Sequence, residues 1–333
     1  MVFAAGDDKA APWPPSSTPP WFAVLVALGA WVVLTSAATF LAWLRRAFLR
    51  RGKDLAVRYG EWAVVTGPTD GIGRAVALEL ARRGLSLVLV GRNPDKLAHV
   101  KKEAQAAAPP SSPCEVRTVV FDLAAGEMAR GAARVAAATA GLDVGVLVNN
   151  AGATYPGAAY LHELPAPAWE AVVRVNVEAA TRIARALVPG MAARRRGAVV
   201  NVGSGCSVVV PAFPLYAVYA ATKAYVDQFS RSLSVEYKQY GVDVQCQIPL
   251  YVATKMSPVK GHSPFIPSPE EYAKAAVRCI GYEARCVPYW RHSIQWFFAS
   301  LVPDCALNYW RLQIGIRKRN EMKSTLLGGN SVS

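Results

Sequence analysis

Between Trp62 and Pro249 the chain alternates short apolar runs with segments of helical period. The runs are WAVVTG, LSLVLVGR, EVRTVVFDL, VGVLVNNAG, AVVNVGS and VDVQCQIP. Between them stand PTDGIGRAVALELARRG, NPDKLAHVKKEAQAAA, GEMARGAARVAAATAG, AWEAVVRVNVEAATRIARALVPGMAARR and the stretch after Tyr219. Apolar positions three and four apart mark the second set as helices, and continuous apolarity marks the first set as strands. A strand apolar on both faces cannot leave one face in water. It needs a parallel sheet with helices packed on both sides. The expected fold is therefore α/β, a doubly wound parallel sheet in a single domain over about residues 60–290.

Upstream the pattern changes. Residues 1–20 are rich in Pro, Ala and Ser and are expected to be disordered. Trp21 to Leu44 then runs 24 residues without a charge, enough helix to cross a hydrocarbon core that takes about 20 residues. A cleaved signal peptide is the rival, but it calls for a basic flank before a shorter apolar core. Here Asp7 and Asp8 precede the run, and Arg45, Arg46, Arg50, Arg51 and Lys53 follow it. The positive side faces the cytoplasm, so a retained anchor with residues 45–59 as a basic linker is expected. A core helix is the third reading.

The net charge is +14, which suits an anionic partner: nucleic acid, anionic lipid or a phosphate-bearing ligand. The chain has no basic stripe interleaved with aromatics and no zinc-finger spacing, so nucleic acid is not expected. Its six cysteines include no Cys-x-x-Cys and read as reduced thiols of a cytosol-facing domain. Ile294 to Trp310 is apolar and aromatic, and is expected to pack on the domain or lie at the membrane interface, with a second span as the lesser alternative. Arg317, Lys318, Arg319 and Lys323 near the end suit lipid headgroups or plain solvent equally.

Gly67, Gly71 and Gly73 sit where the first strand turns into the first helix. Glycine there permits a tight turn and close approach, and the helix N-terminus offers free N–H groups to phosphate. In a Rossmann-like sheet this is the place for a dinucleotide. Arg92 follows the second strand, where the adenosine ribose is read. An acidic residue at that position reads a free 2′-hydroxyl, whereas arginine accommodates a 2′-phosphate, so NADPH is expected over NADH. Tyr219 and Lys223 lie four apart on a predicted helix and hence on one face. An ammonium beside a phenol favours the phenolate and lowers its pKa, giving a proton donor and acceptor near neutral pH. Ser204 ends a strand just upstream. Tyr251 and Lys255 repeat the spacing after Pro249. They stand at a strand end, where the two need not share a face.

Together TGPTDGIG, NNAG, Asn176, NVGSG and YAATK, in that order, resemble the short-chain dehydrogenase/reductases over about residues 60–255. The resemblance implies Tyr219 as general acid, Lys223 as its partner and nicotinamide-ribose ligand, Ser204 on the substrate carbonyl and Asn176 in a proton relay. Gly67, Thr69, Asp70, Gly71, Ile72 and Gly73 would carry the cofactor phosphates, with Asp122 at adenine, Asn149, Ala151 and Gly152 along the cleft, and Thr254 at the carboxamide. Ser204 lies fifteen residues before Tyr219, a longer gap than the family's usual one, so Ser207, twelve before, is its rival. No metal is implied. The phrases QCQIPLYVATKM and SPEEYAKAAVRCIGYEA and the N-terminal anchor look like the microsomal very-long-chain 3-oxoacyl-CoA reductases, especially the plant form. That narrower likeness implies a long-chain 3-oxoacyl-CoA substrate, an endoplasmic-reticulum bilayer and other elongase subunits as partners. It leaves 17-oxosteroids, or a weakly active scaffold role, as alternatives. Lys255, Lys260 and His262 are placed for CoA phosphates or for plain surface charge.

Overall fold

The computed structural model describes residues 19–257, 261 and 263–328. Lys260, His262 and almost all of the expected disordered stretch lie outside the described residues. The chain divides into two units, Met1–Arg50 and Arg51–Ser333.

The first unit is helix α1, Pro20–Leu44, continued by a π-helical turn over Arg45–Leu49. The most apolar 18-residue window of the combined helix has a mean hydropathy of 2.1, and none of it is buried. Trp31, Val33 and Leu34 are each about two thirds exposed. This exposure removes the core-helix reading.

The second unit begins with α2, Leu55–Tyr59, whose Leu55 and Tyr59 are buried. The segment 45–59 is therefore not a linker throughout. Its first residues extend the anchor helix, and its last turn is fixed by two side chains sunk in the core. There follow β1 (Trp62–Thr66), α3 (Gly71–Arg82), β2 (Ser86–Gly91), α4 (Pro94–Ala107), β3 (Val116–Val120), α5 (Met128–Thr139) and β4 (Val144–Asn149). Then come α6 (Ala166–Val173), α7 (Ala180–Ala193), β5 (Gly197–Val202), α8 (Ala217–Glu236) and β6 (Val242–Gln247). The chain closes with α9 (Pro269–Arg278), β7 (Arg285–Cys286), α10 (Trp290–Ser300) and α11 (Asp304–Gly328). The seven strands form one sheet in the order β3-β2-β1-β4-β5-β6-β7. Every pairing is parallel.

Successive strand residues feed opposite faces. On β1, Ala63 and Val65 join a core with α3, α4 and α9, while Trp62 and Val64 join the other, with α5 and α7. Fully buried Leu80, Leu87, Leu89 and Leu97 each stabilise by roughly 1.5–3 kcal/mol relative to exposure. The strand order reverses direction between β1 and β4, and clefts in such sheets open at the carboxyl ends of the strands at that point.

Two elements depart from the sequence reading. The helix expected over 168–195 is interrupted by a π-helical stretch, Arg174–Ala179, between α6 and α7. Such a widened turn often marks a functional site, and this one carries Asn176. At the C-terminus, Ile294–Trp310 is divided between α10 and α11. His292 and Leu307 are buried, whereas Phe297, Phe298, Leu301 and Trp310 are more than half exposed. Among the described residues only Pro20–Leu49 is long and apolar enough to cross a membrane, so the second span is absent from them.

Candidate functional site

The site is built at the carboxyl ends of β1, β4, β5 and β6. Gly67 leaves β1 with φ +63, and Gly71 opens α3 with φ +54. Both values suit glycine. A Cβ on Gly67 would come within 3.0 Å of the Ala151 Cα, and one on Gly71 within 3.1 Å of the Thr254 Cγ2. A Cβ on Gly73 would run into the Gly67 carbonyl and the Asn150 amide. The third glycine is thus required by packing within the turn. Asp70 caps α3 by accepting from the Gly71 N–H at 2.8 Å. The Lys255 Nζ lies 2.8 Å from the Asp70 carboxylate and, as the leading influence, holds it below the usual carboxylate range. Thr69 flanks Gly91, and Ile72 packs against the core.

The ribose-reading position is equally open. Arg92 is exposed directly after β2. Asp122 is exposed after β3, with Oδ1 accepting from the Ala124 N–H at 2.9 Å. Asn149 turns away from this edge. Its Nδ2 donates to Asn201 at 2.9 Å and to the Ala180 carbonyl at 3.2 Å. Asn201 in turn donates to the Ser230 Oγ at 2.9 Å. The buried Asn149 therefore fastens β4 to β5, α7 and α8, rather than lining a cleft. Asn150, passed over in the sequence reading, holds the turn. Its side chain donates to the Thr66 and Gly67 carbonyls, and the Thr66 hydroxyl accepts from the Asn150 and Ala151 amides.

Asn176, Gly152 and Lys223 converge. A Cβ on Gly152 would lie 3.5 Å from the Lys223 Nζ and 3.6 Å from the Asn176 Oδ1. Asn176 accepts from the Ala153 N–H at 2.8 Å and donates to the Ala153 carbonyl at 3.0 Å and to the Thr222 Oγ1 at 2.9 Å. The Lys223 ammonium is buried and donates to the Val202 carbonyl at 2.9 Å, at the tip of β5.

Tyr219 stands one turn before Lys223 on α8, as expected, but its pKa moves the other way. Burial pushes the phenol up and Cys206 adds to the rise, while only the Ser204 hydroxyl opposes. The Lys223 ammonium is turned to the Val202 carbonyl, and burial pushes its own pKa down. Ser204, not Ser207, is beside the phenol. The Ser204 Oγ also accepts from the Cys206 N–H at 3.3 Å. Ser207 is turned back onto the Ser204 carbonyl at 2.9 Å. The longer gap is taken up by a 3-10 turn, Gly205–Ser207, in the intervening loop.

His292 was not legible as a site residue. It is fully buried on α10; its Nδ1 accepts from the Leu250 N–H at 3.3 Å, and its Nε2 bonds the Tyr251 carbonyl at 3.1 Å. It holds the loop that carries Thr254 to the glycine turn. Burial lowers its pKa to about 4. A lone histidine in an aromatic stretch gives no such signal in sequence.

The donor set fits a phosphorylated dinucleotide. Two left-handed glycines bare the backbone at a helix N-terminus, and Arg92, exposed after β2, has no ion-pair partner among the described residues. No group of three or more His, Cys, Asp or Glu among the described residues could hold a metal.

Comparison with known proteins agrees with this geometry. A short chain dehydrogenase family model matches residues 61–263, more than half of the chain. A very-long-chain 3-oxoacyl-CoA reductase-like protein of Arabidopsis thaliana is 49% identical over 311 residues, covering 92% of this chain and 97% of its own. An inactive hydroxysteroid dehydrogenase-like protein 1 of Homo sapiens is 39% identical over 84% of this chain and 86% of its own. Among solved structures, a short-chain dehydrogenase from Sphingobium yanoikuyae in complex with NADPH superposes with a TM-score of 0.60 at 28% identity, covering 72% of this chain and 92% of that one. With the glycine turn, the Asn176 bulge and the Tyr219–Lys223 helix face in place on a seven-stranded parallel sheet, the chain belongs to the short-chain dehydrogenase family.

Proposed function

We propose that this protein reduces very-long-chain 3-oxoacyl-CoA to 3-hydroxyacyl-CoA with NADPH, as a step of fatty-acid elongation. The observation that carries the reading is the convergence of Ser204, Tyr219, Lys223 and Asn176 on one sheet edge. It occurs in a chain whose 49%-identical relative, matched over nearly its whole length, is named very-long-chain 3-oxoacyl-CoA reductase-like.

Residues of the Gly67–Gly73 turn hold the cofactor phosphates through backbone N–H groups, and Arg92 takes the 2′-phosphate. Bound there, NADPH supplies the hydride for the ketone carbon. Tyr219 donates its proton to the ketone oxygen. Burial keeps the phenol protonated at neutral pH, the form that reduction requires. Ser204 donates to the same oxygen and aligns it. Lys223, anchored on Val202, would hold the nicotinamide ribose and return a proton towards Tyr219. Asn176 fixes Ala153 and Thr222, and so sets the distance between the β4 loop and α8. Thr254 would hold the carboxamide from the loop that His292 fixes.

The anchor helix keeps the enzyme in the endoplasmic-reticulum bilayer with the catalytic unit in the cytoplasm, as its basic C-terminal flank directs. Other elongase subunits are its expected neighbours. The 39% likeness to an inactive hydroxysteroid dehydrogenase-like protein gives the second reading, a steroid-ketone reductase or an inactive scaffold. Membranes bearing the chain, supplied with NADPH and 3-oxostearoyl-CoA or with a 17-oxosteroid, separate these readings. The expected result is acyl-CoA reduction that Tyr219→Phe abolishes. Steroid turnover alone would move the substrate class, and no turnover of either would leave the scaffold. An N-terminal tag protected inside sealed microsomes is the expected topology, and an accessible one overturns it.

A further inference from the structure

A cavity of about 220 Å³ opens beside the reacting end of α8. Its walls come from three separated parts of the chain: the loop after β4, the loop before α8 and the C-terminal helix α11. Leu161, Leu164, Pro214, Leu215, Val218 and Leu312 give it an aliphatic lining, and no charged side chain lines it. Ala217 and Val218 bring the first turn of α8, which carries Tyr219, to the cavity wall. Tyr155 also lines it, 97% buried, with its hydroxyl turned to the Val218 and Tyr219 backbone at the start of α8.

We propose that this cavity receives the alkyl arm of the substrate and that α11 is its selective wall. The proposal rests on the acyl-CoA reading and names the part of the site that reads the chain. The volume falls below the roughly 300 Å³ at which pockets hold a whole drug-sized ligand. A linear arm fits it better than a fused-ring body. Each methylene moved from water into such a site is worth roughly fourfold in affinity, so chain length is read as binding strength. A longer chain continues past the rim, where Leu161 is 66% exposed.

The wall is held by contacts of α11 with both loops. Gly315 of α11 is buried against the loop before α8, and a Cβ there would lie 3.1 Å from the Leu215 Cδ1 and 3.4 Å from the Pro214 carbonyl. Gly157 of the β4 loop leaves room for Met322 of α11. At the rim, the Arg319 Nε donates to Glu163 at 2.8 Å and the Lys323 Nζ donates at 3.3 Å. The Arg319 guanidinium lies 5.1 Å from the Tyr160 ring centre. Leu215 itself sits in the left-handed region, with φ +62, and its carbonyl accepts from the Ala159 N–H at 3.1 Å. This strained residue ties the two loops together under the wall.

The test compares kcat/KM for 3-oxostearoyl-CoA and acetoacetyl-CoA, with NADPH, in membranes bearing the full chain. Leu312→Trp fills the cavity and is expected to lower the long-to-short ratio at least tenfold, mainly through KM. Arg319→Ala loosens the rim and is expected to lower it about threefold. A partly unfolded sample loses both substrates together, so the ratio controls for folding. A ratio that neither variant moves overturns the proposal. If the unsubstituted protein reduces neither substrate, the acyl-CoA reading fails separately. The cavity is then read by cis-parinaric acid fluorescence: binding that Leu312→Trp removes supports the alkyl site, and binding that survives it overturns the site.

Discussion

The chain holds two Tyr-x-x-x-Lys sequences, and the fold makes different things of them. Tyr219 and Lys223 share a face of α8, with the ammonium buried and fixed on Val202. Tyr251 and Lys255 follow β6 in irregular chain. The Tyr251 hydroxyl accepts from Arg311 at 3.4 Å, its carbonyl is bonded by His292, and the largely exposed Lys255 pairs with Asp70. Spacing alone brings nothing together. The first pair is a site because a helix sets its side chains one turn apart and a strand end buries them. The second pair became two separate fasteners on the loop that faces the glycine turn.

The largest test of that contrast is Tyr219→Phe against Tyr251→Phe. Loss of a positioned acid costs roughly 10²–10⁴-fold in turnover, and that is expected for Tyr219→Phe in the NADPH-oxidation assay. Tyr251→Phe is expected to stay within about threefold, and an equal loss would erase the distinction. Next is Asn176→Ala, which strips the partner from the half-buried Ala153 amide and one of two partners from the buried Thr222 hydroxyl. Leaving a buried polar group unpaired costs about 1–3 kcal/mol, so a lowered midpoint in thermal unfolding is expected, together with reduced turnover.

The second pair's loop carries a pH signature through His292. Its pKa lies at about 4 in the folded chain against an ordinary 6.5. Above about 6.5 the imidazole is neutral in both states and its contribution is complete. As pH falls, the unfolded chain takes up the proton first, so stability is lost between about 6.5 and 4. Denaturant titrations over that window should show the decline, and His292→Gln should flatten it. The smallest effect is expected for Lys255→Ala. Its exposed pair with Asp70 is worth about 0–1 kcal/mol, and the difference from the unsubstituted protein should fade with added salt.

The parallel sheet was legible because WAVVTG, LSLVLVGR and VGVLVNNAG are apolar at every position, which a half-wetted sheet does not tolerate. Gly67 and Gly71 were legible because backbone at positive φ admits few other residues. Asn149 was placed on the cleft by resemblance and is instead a fastener between strands. Its neighbour Asn150, identical in kind, holds the turn. Strand β7 has only two residues, too few to show a period. The basic tail read as free for lipid or solvent has Arg319 and Lys323 committed to Glu163, more than 150 residues away in the chain.

By itself, then, the sequence determined the N-terminal apolar helix, the doubly wound sheet, the glycine turn and the shared helix face of Tyr219 and Lys223. Each of these follows from residues within a turn or a strand of one another, where period and spacing translate directly into geometry. Only the tertiary structure decided that Ser207 turns back onto the Ser204 carbonyl and that burial raises the Tyr219 phenol. It alone decided that His292 holds the loop and that α11 walls an apolar cavity. These outcomes depend on which distant segments meet and on how much water their meeting removes, and local pattern carries neither.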